Sequence, residues 1–463
     1  MADDEDLHGA PAHEGPGPVP RAIVGDRASL RAQMSAARRV TDALFALLTP
    51  EGLTARPISE RHRFIFYLGH LEVFDWNLVC RDVLSMASLN GPFEKLFAFG
   101  IDPVDGCNPV DTAADWPTAE QLAPWLHRAR HAVDEALAGA PLTGWLEDGW
   151  ALRMAIEHRL MHAETLCYLL QRTDVKFKRP GPPPELRAVN DAAAARAEVT
   201  VPRGRAVLGL ARDTAPHIGW DNEYERYAVE VPAFTMSRLP VSNGDWLGFI
   251  EAGGYRKRTL WDDAAWTWLA RDGIAQPAFW RQRDGAWWWR AMFGEVALPR
   301  EWPVYVSHAE ASAYARWKRA RLPTEAEWHR AVFGDAEDPR HAWGTATAEP
   351  GVDGNFGFAH FDPIASGACS RGDGPFDIAD LVGNGWEWTS TAFNPFAGFE
   401  ALPFYPGYSA NFFDGKHFVM KGASASTDVA FLRPSFRNWF QPHYQHVFAK
   451  FRLVNDGRGP THE

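Results

Sequence analysis

The sequence has few cysteines. Only four occur in 463 residues, and none forms a CxxC pair, so a thiolate metal site and a disulfide framework are both excluded. No apolar run of about 18 residues is present, which argues against a membrane-spanning helix. The N-terminus is acidic and lacks the basic start and apolar stretch of a signal peptide. Because no basic block offsets a net charge of −12, a general nucleic-acid or membrane-surface binder is excluded. We therefore expect a soluble, cytoplasmic protein.

Tryptophan is abundant instead, with 21 copies, and the length favours two domains. Residues 1–22 are acidic and then rich in proline and glycine, which predicts a disordered tail. Residues 23–177 have helical periodicity, and residues 178–198 begin with a rigid proline-rich stretch that predicts a linker. Residues 199–463 contain short segments with frequent glycine and tryptophan. This pattern predicts a loop-rich α+β domain.

The N-terminal half contains four segments with helical periodicity. They cover residues 28–48, 62–89, 118–138 and 142–171. Four helices of this length favour an up-down bundle, and metal sites in bundles are commonly built from inward side chains on facing helices. We therefore expect a metal site, if there is one, to consist of paired polar residues inside these segments.

His158 and His162 are four residues apart in the last helical segment. On an α-helix this spacing places two imidazoles on one face, about 6 Å apart, as half of a site for Zn, Fe, Cu or Ni. The alternative is two unrelated histidines on a solvated or satisfied face. Glu164 lies about 200° around the axis from His162. We therefore expect Glu164 to be structural and not a ligand.

Two motifs of the C-terminal half carry a family resemblance. LPTEAEW (322–328) and LVGNGWEWTS (381–390) resemble the formylglycine-generating-enzyme-like, or sulfatase-modifying-factor, fold, which is a C-type-lectin-like domain. WDNE (220–223), PVSN (240–243) and GGY (253–255) are similar to the branch with an N-terminal DinB-like bundle. That branch contains ergothioneine-type sulfoxide synthases and selenoneine synthases. The resemblance implies an α plus α+β fold, namely a DinB-like four-helix bundle followed by a C-type-lectin-like domain.

Most of these motif residues are expected to stabilise the lectin-like fold and to take no part in chemistry. The residues concerned are Glu325, Trp328, Trp386, Glu387 and Trp388.

The resemblance also implies a mononuclear non-haem Fe(II) site with O2 as co-substrate. In that family one histidine from an early helix joins the HxxxH pair, and His70 is the candidate here. His62 is the rival, but it stands between Arg61 and Arg63 at a helix start and is expected to be exposed. Three imidazoles leave coordination positions open for substrates. Zn competes on ligand type alone, and the resemblance decides for iron.

The family resemblance implies roles for two segments near the C-terminus. Tyr405 is the expected acid that gives a proton or hydrogen bond to oxygen, and Tyr408 is expected to bind an imidazole substrate. The alternative is that both tyrosines only pack in an aromatic loop. Asn438 and Trp439 would hold the carboxylate and trimethylammonium groups of hercynine (Nα-trimethylhistidine). A quaternary ammonium has no hydrogen to donate, so aromatic faces recognise it.

The sequence departs from the thiol-using synthases on the donor side. An Asp and an Arg of those enzymes are replaced here by Phe440 and Tyr444, and residues 82–127 contain no Arg. An amino-acid donor requires charge-paired recognition, so a pocket without charged partners favours a neutral, hydroxyl-rich donor. Such a donor suits the side chains of Phe440, Gln441 and Tyr444. Met161 also differs from the residue that those synthases often have at this position. Selenoneine synthases, which take a selenosugar, resemble this pattern.

These observations predict an Fe(II) and O2-dependent enzyme that joins hercynine to a selenosugar. The alternatives are an ergothioneine-type sulfoxide synthase with a thiol donor and, without enzymatic activity, a lectin-like binding module on a helical bundle. Formylglycine generation is discounted, because it needs a late cysteine pair and Cys369 stands alone. The expected partners are small molecules, with no nucleic acid and no membrane. The oligomeric state and the physiological reductant stay open.

Overall fold

A computed structural model describes residues 27–98, 109–140, 144–186, 197–212, 219–336, 341 and 347–455. The predicted tail at residues 1–22 lies outside the described residues, as do residues 187–196 of the predicted linker. The described chain is helical up to the proline-rich segment and contains all of its β-strands after it. The predicted order of a helical part followed by an α+β part is therefore confirmed.

The helical part is a four-helix bundle with one short extra helix. Its helices are α1 (Arg27–Ala46), α2 (Phe64–Asp75), α3 (Gly91–Leu96), α4 (Ala119–Gly139) and α5 (Trp150–Arg172). Short 3-10 segments lie at Pro50–Thr54, Ala113–Asp115, Gly144–Gly149 and Val175–Phe177. The predicted continuous helix over 62–89 is wrong in its second half. After Asp75 the chain continues as a π-helix over Trp76–Val83, and the short helix α3 lies between the second and third predicted segments.

Helix α2 is the central element of the bundle. Nearly all of its side chains are buried, so its sequence is apolar on every side and not only along one stripe. The buried polar members His70, Glu72 and Asp75 therefore require partners on neighbouring helices. Helix α4 begins with a reciprocal cap, in which Thr118 accepts from the Gln121 N–H and Gln121 accepts from the Thr118 N–H. Among the described residues, no helix has the length and apolarity needed to cross a membrane.

The described residues of the C-terminal part form small sheets and four helices. Its helices are α6 (Asn243–Glu251), α7 (Asp263–Asp272), α8 (His308–Trp317) and α9 (Glu325–Phe333). Its strands are β1 (Glu198–Val201), β2 (Gly204–Leu208), β3 (Tyr227–Val231), β4 (Phe234–Ser237), β5 (Trp280–Arg283), β6 (Ala286–Ala291), β7 (Gly294–Ala297), β8 (Gly385–Ala392), β9 (Phe418–Ala423), β10 (Asn438–Phe440), β11 (Ala449–Lys450) and β12 (Val454–Asn455). The described strands form sheets in the orders β1-β4-β12, β10-β9-β8-β11, β2-β3 and β5-β6-β7. The β10-β9-β8-β11 sheet faces the bundle through residues of β8 and of the loop after β9.

The charged motif residues of this part lie in buried ion pairs. The Glu325 carboxylate accepts from the Arg437 guanidinium at 3.0 and 3.1 Å. Glu387 accepts from Arg452 Nε at 2.9 Å, with both side chains fully buried. A buried charge is tolerated only when it is paired in this way. These contacts agree with the expectation that the motif residues stabilise the fold.

Candidate metal centre and substrate cleft

Three buried histidines meet at the face of the bundle that turns towards the lectin-like part. His158 and His162 are one turn apart on α5, and His70 approaches them from α2. One ring nitrogen of each lies within 4.8 Å of the others, and the Nε2 atoms of His158 and His162 are 3.1 Å apart. Within the ranges that the structure describes, this is the one such group of His, Cys, Asp or Glu. The structure therefore brings the three predicted ligands together, while their binding of iron stays a prediction.

The hydrogen bonds of the rings determine which nitrogens are available. The Nδ1 atom of His70 lies 2.7 Å from the Phe97 carbonyl oxygen. A carbonyl only accepts, so Nδ1 carries the proton and the Nε2 lone pair of His70 is left for a ligand role. His158 and His162 present Nε2 to each other, and their Nδ1 atoms have no hydrogen-bond partner among the described residues.

The electrostatics of the group favour neutral imidazoles. Burial lowers the pKa of His70 to about 4, although the hydrogen bond to Phe97 opposes this shift. Burial also lowers the pKa of His158 and of His162 to well below the usual value, and the neighbouring histidines and Arg159 add to it. Neutral imidazoles with free lone pairs are metal ligands, and protons do not compete for them at neutral pH.

The donor set and its spacing fit a divalent transition metal. Two imidazole nitrogens that bind one ion at about 2.1 Å each, with a right angle between the two bonds, are ~3 Å apart. The Nε2 atoms of His158 and His162 are 3.1 Å apart, which is close to this value. Three imidazoles with no thiolate suit Fe(II) or Zn. His70, His158 and His162 would therefore hold the metal, and the side of the site facing the lectin-like part would receive substrates.

A buried ion network fixes α2 against α5 beside the histidines. The Arg159 guanidinium donates to Asp75 at 2.6 Å and lies 3.0 Å from Glu72. Arg130 of α4 donates to Glu72 at 2.9 Å and to Asp42 of α1 at 2.6 Å. All four helices of the bundle are thus connected through one cluster, which is buried at Arg159, Glu72 and Asp75 and exposed at Asp42. Its buried part holds His70 and His158 at a fixed separation.

An aromatic ladder along α2 lines the other side of the metal site. The His62 ring stacks on Phe66 at 4.1 Å, and Phe66 stacks on His70 at 5.0 Å. Phe74 then stacks on His158 at 3.4 Å. The expectation that His62 is exposed is wrong, because this ring is half-buried against Phe66. It does not belong to the group of three histidines.

Glu164 lies on the opposite side of α5 from the metal site, as the helical geometry predicts. Its carboxylate accepts from Trp386 Nε1 at 2.7 Å, from Ser424 Oγ at 2.5 Å and from Thr427 Oγ1 at 3.0 Å. Burial raises the pKa of this carboxyl, and the three hydrogen bonds oppose the shift. Glu164 therefore connects the bundle to β8 and to the loop after β9.

The predicted tyrosine loop lies against the metal site. The Tyr405 ring is 5.7 Å from Phe74 and 6.4 Å from His158. Tyr408 stacks on Trp220 at 4.0 Å, and its hydroxyl points to the Met161 sulfur at 3.4 Å.

The two tyrosines differ in their distance from the histidines. Tyr405 is near the ring of a candidate ligand, whereas Tyr408 contacts the residue that precedes His162. Burial raises the pKa of Tyr408 well above its usual value, so its phenol stays protonated.

The predicted hercynine residues form an aromatic corner behind Tyr408. Trp439 stacks on Phe393 at 4.1 Å and meets Tyr408 edge to face at 5.4 Å. Phe412 lies 5.7 Å from the Trp439 ring. Asn438 uses its side-chain oxygen to accept from the Trp439 N–H at 2.8 Å. The structure thus places the aromatic members next to each other, and their binding of hercynine stays a prediction.

The predicted donor residues lie next to a buried arginine. Phe440 and Tyr444 stack at 4.9 Å, and a turn in which the Gln441 carbonyl accepts from the Tyr444 N–H brings them together. Arg61 Nε donates to the Tyr444 hydroxyl at 2.8 Å. The expectation of a pocket without basic partners is therefore wrong. Residues 82–127 contain no Arg, but the cation comes from the segment before α2.

Sequence reasoning also missed a buried cluster between the two halves. Arg433 donates to Glu157 at 2.8 and 2.9 Å and to Glu223 at 2.6 and 2.8 Å. Trp220 Nε1 donates to Glu157 at 2.8 Å. No local pattern connects residues so far apart in sequence. Phe74, by contrast, could have been found, because it follows His70 by four residues on the same helical face.

Both halves of the chain match known protein families. Residues 185–457 match the sulfatase-modifying factor enzyme 1-like domain, and residues 33–166 match the DinB superfamily. The three candidate ligand histidines thus lie in the part that matches the DinB superfamily, and the tyrosine loop and the aromatic corner lie in the other part.

Several characterised relatives share this similarity. The hercynine oxygenase of Mycobacterium tuberculosis (strain ATCC 25618 / H37Rv) is 37% identical over 339 residues, which cover 71% of this chain and 76% of that protein. The hercynine oxygenase of Mycolicibacterium thermoresistibile is 36% identical over 342 residues, which cover 71% of this chain and 73% of that protein. Ergothioneine biosynthesis protein 1 of Neurospora crassa is 25% identical over 503 residues, covering 89% of this chain and 56% of that protein. The similarity therefore extends across both halves.

Proposed function

Because the chain belongs to the family that joins a DinB superfamily domain to a sulfatase-modifying factor enzyme 1-like domain, we propose that it is an oxidoreductase acting on hercynine. The names of its hercynine oxygenase relatives support this substrate. In the proposal, His70, His158 and His162 hold one Fe(II), and O2 is the co-substrate. The observation that carries it is the convergence of three buried, neutral imidazoles at the face that meets the lectin-like part. Bound iron would supply the redox chemistry with O2 that side chains lack.

We further propose that the product is a selenoxide, formed from hercynine and a selenosugar of the 1-seleno-glucose type. The imidazole C2–H bond and the Se–H bond break, and a C–Se bond forms between the two molecules. O2 is the oxidant, with one oxygen atom ending on selenium and the other leaving as water with the two hydrogens. A later two-electron reduction by an external reductant breaks the bond between selenium and the sugar carbon, and it gives selenoneine and the free sugar, which carries away the oxygen atom.

The aromatic corner suits the trimethylammonium group of hercynine. The rings of Tyr408 and Phe412 each lie within 6 Å of the Trp439 ring, and aromatic faces attract a cation that has no hydrogen to donate. Tyr408 also lies against Met161, the residue before His162, so a substrate held there would reach towards the histidines. Asn438 is the polar group of this corner and would bind the carboxylate.

Tyr405 is the residue that we propose as the proton or hydrogen-bond donor during oxygen chemistry. Its ring is 6.4 Å from the His158 ring, and no other tyrosine of the loop is placed so near a candidate ligand. A phenol can donate without carrying charge at neutral pH. Holding both substrates and this donor around one site would turn a reaction of three separate molecules into an oriented local one.

The choice of a selenosugar over a thiol donor is supported by the stacked Phe440 and Tyr444. Their rings form a flat surface that suits the face of a sugar, whereas an amino-acid donor requires a carboxylate and a cation for its two charges. The second candidate is an ergothioneine-type sulfoxide synthase with a thiol donor. Arg61 favours it in one respect, because a guanidinium beside Tyr444 could pair with a carboxylate.

One assay tests the function and the donor together. The protein is loaded with Fe(II) without oxygen, mixed with hercynine and then exposed to O2 with 1-seleno-glucose, γ-glutamylcysteine or cysteine. We expect a hercynyl selenoxide with the first donor and little sulfoxide with the others. Sulfoxide from a thiol, without product from the sugar, would establish the second candidate.

A pair of matched variants tests the metal site in the same assay. His158→Ala removes a candidate ligand, and we expect iron content and turnover to fall by at least about tenfold. His127→Ala removes an exposed histidine of α4 and should change neither quantity. If the wild-type protein binds no stoichiometric iron and turns over no donor, a lectin-like binding module is the better description.

A further inference from the structure

The WDNE segment (residues 220–223) is a buried turn that lies next to the tyrosine loop. Asp221–Glu223 form a short 3-10 helix. The Glu223 carboxylate accepts from the Trp220 N–H at 2.8 Å, and the Glu223 N–H donates to the Trp220 carbonyl at 2.9 Å. All four side chains of the segment are buried. The segment therefore has a fixed shape, against which other parts of the chain can be held.

Two side chains of the WDNE segment bind Ser409, which directly follows Tyr408. The Ser409 hydroxyl donates to the Asp221 carboxylate and accepts from Asn222 Nδ2 at 2.9 Å. A hydroxyl has one hydrogen to donate, and here that hydrogen is used within the protein. Ser409 is completely buried. Its hydroxyl therefore anchors the loop and is not available to a substrate.

Asp221 also lies close to the other end of the tyrosine loop. Burial raises the pKa of the Asp221 carboxyl, and Ser409 together with the backbone N–H groups of Asn222 and Leu402 opposes this shift. Residues 402–409 form no strand or helix. Their backbone hydrogen bonds within the loop run from the Tyr405 N–H to the Leu402 carbonyl and from the Tyr408 N–H to the Tyr405 carbonyl, both at 3.1 Å. Because a loop with so few backbone hydrogen bonds opens easily, its place depends on side-chain anchors such as Asp221.

The WDNE segment is also connected to the helix that carries the HxxxH pair. The Trp220 ring stacks on Tyr408 at 4.0 Å, and its Nε1 donates to Glu157 of α5 at 2.8 Å. Glu157 directly precedes His158, whose ring is 6.4 Å from that of Tyr405. One rigid segment thus contacts both the tyrosine loop and the helix of two candidate ligands, so its contacts determine how far the tyrosines lie from the histidines.

We propose that Asp221 is a positioning residue, which acts through Ser409 to hold Tyr405 and Tyr408 against the metal site. This inference rests on the proposed function, because it takes Tyr405 as the donor during oxygen chemistry. It goes further because it assigns the placement of that donor to a buried carboxylate outside the group of three histidines.

The test compares Asp221→Ala, Asp221→Asn and Ser409→Ala, and it adds Ser409→Ala to a Tyr405→Phe protein. Each protein is loaded with Fe(II), saturated with hercynine and assayed for kcat with the donor that the wild type uses. Hydrogen exchange of the backbone amides at residues 402–409 is followed on the same proteins. Ser366→Ala is the matched control, because this serine of the same half is also buried and its hydroxyl has no hydrogen-bond partner among the described residues.

We expect Asp221→Ala and Ser409→Ala to lower kcat by about 10-fold to 100-fold, because a shift of about 1 Å in a reacting group can cost that much. Iron content should stay as in the wild type, and amide exchange at residues 402–409 should become at least about tenfold faster. Asp221→Asn keeps an oxygen that can accept from Ser409, so its kcat should stay within about threefold of the wild type. Ser366→Ala should behave as the wild type.

The combined variant separates positioning from a general structural role. If Ser409 acts by placing the Tyr405 hydroxyl, Ser409→Ala should lower the kcat of Tyr405→Phe by less than about twofold, because the group that it displaces is already absent. An equal fall in kcat with and without the Tyr405 hydroxyl, or a loss of iron and thermal stability in Asp221→Ala and Ser409→Ala, would mean that Asp221 only stabilises the fold.

Two further outcomes distinguish this inference from the proposed function. If the wild-type protein turns over no donor with hercynine, the proposed function is wrong and the inference falls with it. If the wild type is active, and Asp221→Ala and Ser409→Ala keep both its kcat and its slow exchange at residues 402–409, the function stands and the inference is wrong.

Discussion

At the scale of single residues, the candidate site is built from side chains that burial keeps neutral. The pKa of His70 falls to about 4, and that of Tyr408 rises well above its usual value, for the same reason: the charged form loses its hydration. The histidines therefore keep their lone pairs, and the phenol keeps its proton.

Tyr405 can be tested as an acid without disturbing the metal site. Tyr405→Phe keeps the ring that packs 5.7 Å from Phe74 but removes the hydroxyl. If the hydroxyl serves as a general acid, kcat should fall by roughly 100-fold to 10,000-fold, while iron content and hercynine affinity stay near wild type. Tyr227→Phe, at a half-exposed position in β3, is the control and should leave kcat unchanged. A Tyr405→Phe enzyme with normal kcat would restrict this residue to packing.

At the scale of elements, the position of α3 relative to α2 determines which nitrogen of His70 is free. Phe97 follows α3, and its carbonyl holds the Nδ1 proton of His70. The close approach depends on Gly69, where an added Cβ would meet the Phe97 ring at 2.4 to 2.6 Å. A glycine in mid-helix normally costs about 0.5–1 kcal/mol relative to alanine. Here it is retained because the ring of Phe97 occupies the space.

Gly69→Ala should therefore lower the free energy of unfolding, whereas replacing an ordinary helix glycine by alanine raises it. We expect it to destabilise the protein by about 1–3 kcal/mol through overpacking and to weaken iron binding by about tenfold, because Phe97 must move away from His70. Gly248→Ala in α6 is the matched control. Its nearest neighbour would be 3.9 Å away, and it should stabilise by up to ~1 kcal/mol. Urea unfolding and iron titration give both quantities, and stabilisation by Gly69→Ala would refute the argument.

At this scale, the sequence alone predicts relations within one helix, but it does not predict contacts between elements. The helical period placed His158 and His162 on one face and Glu164 on the other, because these relations depend only on local geometry. The π-helix at Trp76–Val83 was missed, since its hydrogen bonds depend on packing against α4 and α5 and leave no periodic signal. His62 was expected to be exposed, and the contact of its neighbour Arg61 was not predicted, because the partner Tyr444 is 383 residues further along the chain.

At the scale of the whole molecule, the proposed metal ligands and the proposed substrate residues come from different halves, so the proposed reaction requires that the halves stay docked. Two buried clusters connect them. Glu164 accepts three hydrogen bonds from the lectin-like part, and Arg433 lies between Glu157 and Glu223. Both glutamates of α5 flank the HxxxH pair, so the docking contacts and the metal ligands share one helix.

Arg433→Met tests whether this docking supports the metal site. Burial acts to raise the pKa of Glu223, but the charge of Arg433 keeps that pKa below its usual value. Burial raises the pKa of Glu157, although the same guanidinium opposes the shift. Removing the guanidinium leaves two buried carboxylates without a counter-charge, so we expect a loss of about 3–5 kcal/mol in the free energy of unfolding. Since Glu157 precedes His158 directly, iron affinity should fall as well. Arg212→Met, which breaks a half-exposed pair with Glu225, should cost at most about 1 kcal/mol and leave iron binding intact. Equal losses in the two variants would mean that the halves are held together by their apolar contact alone.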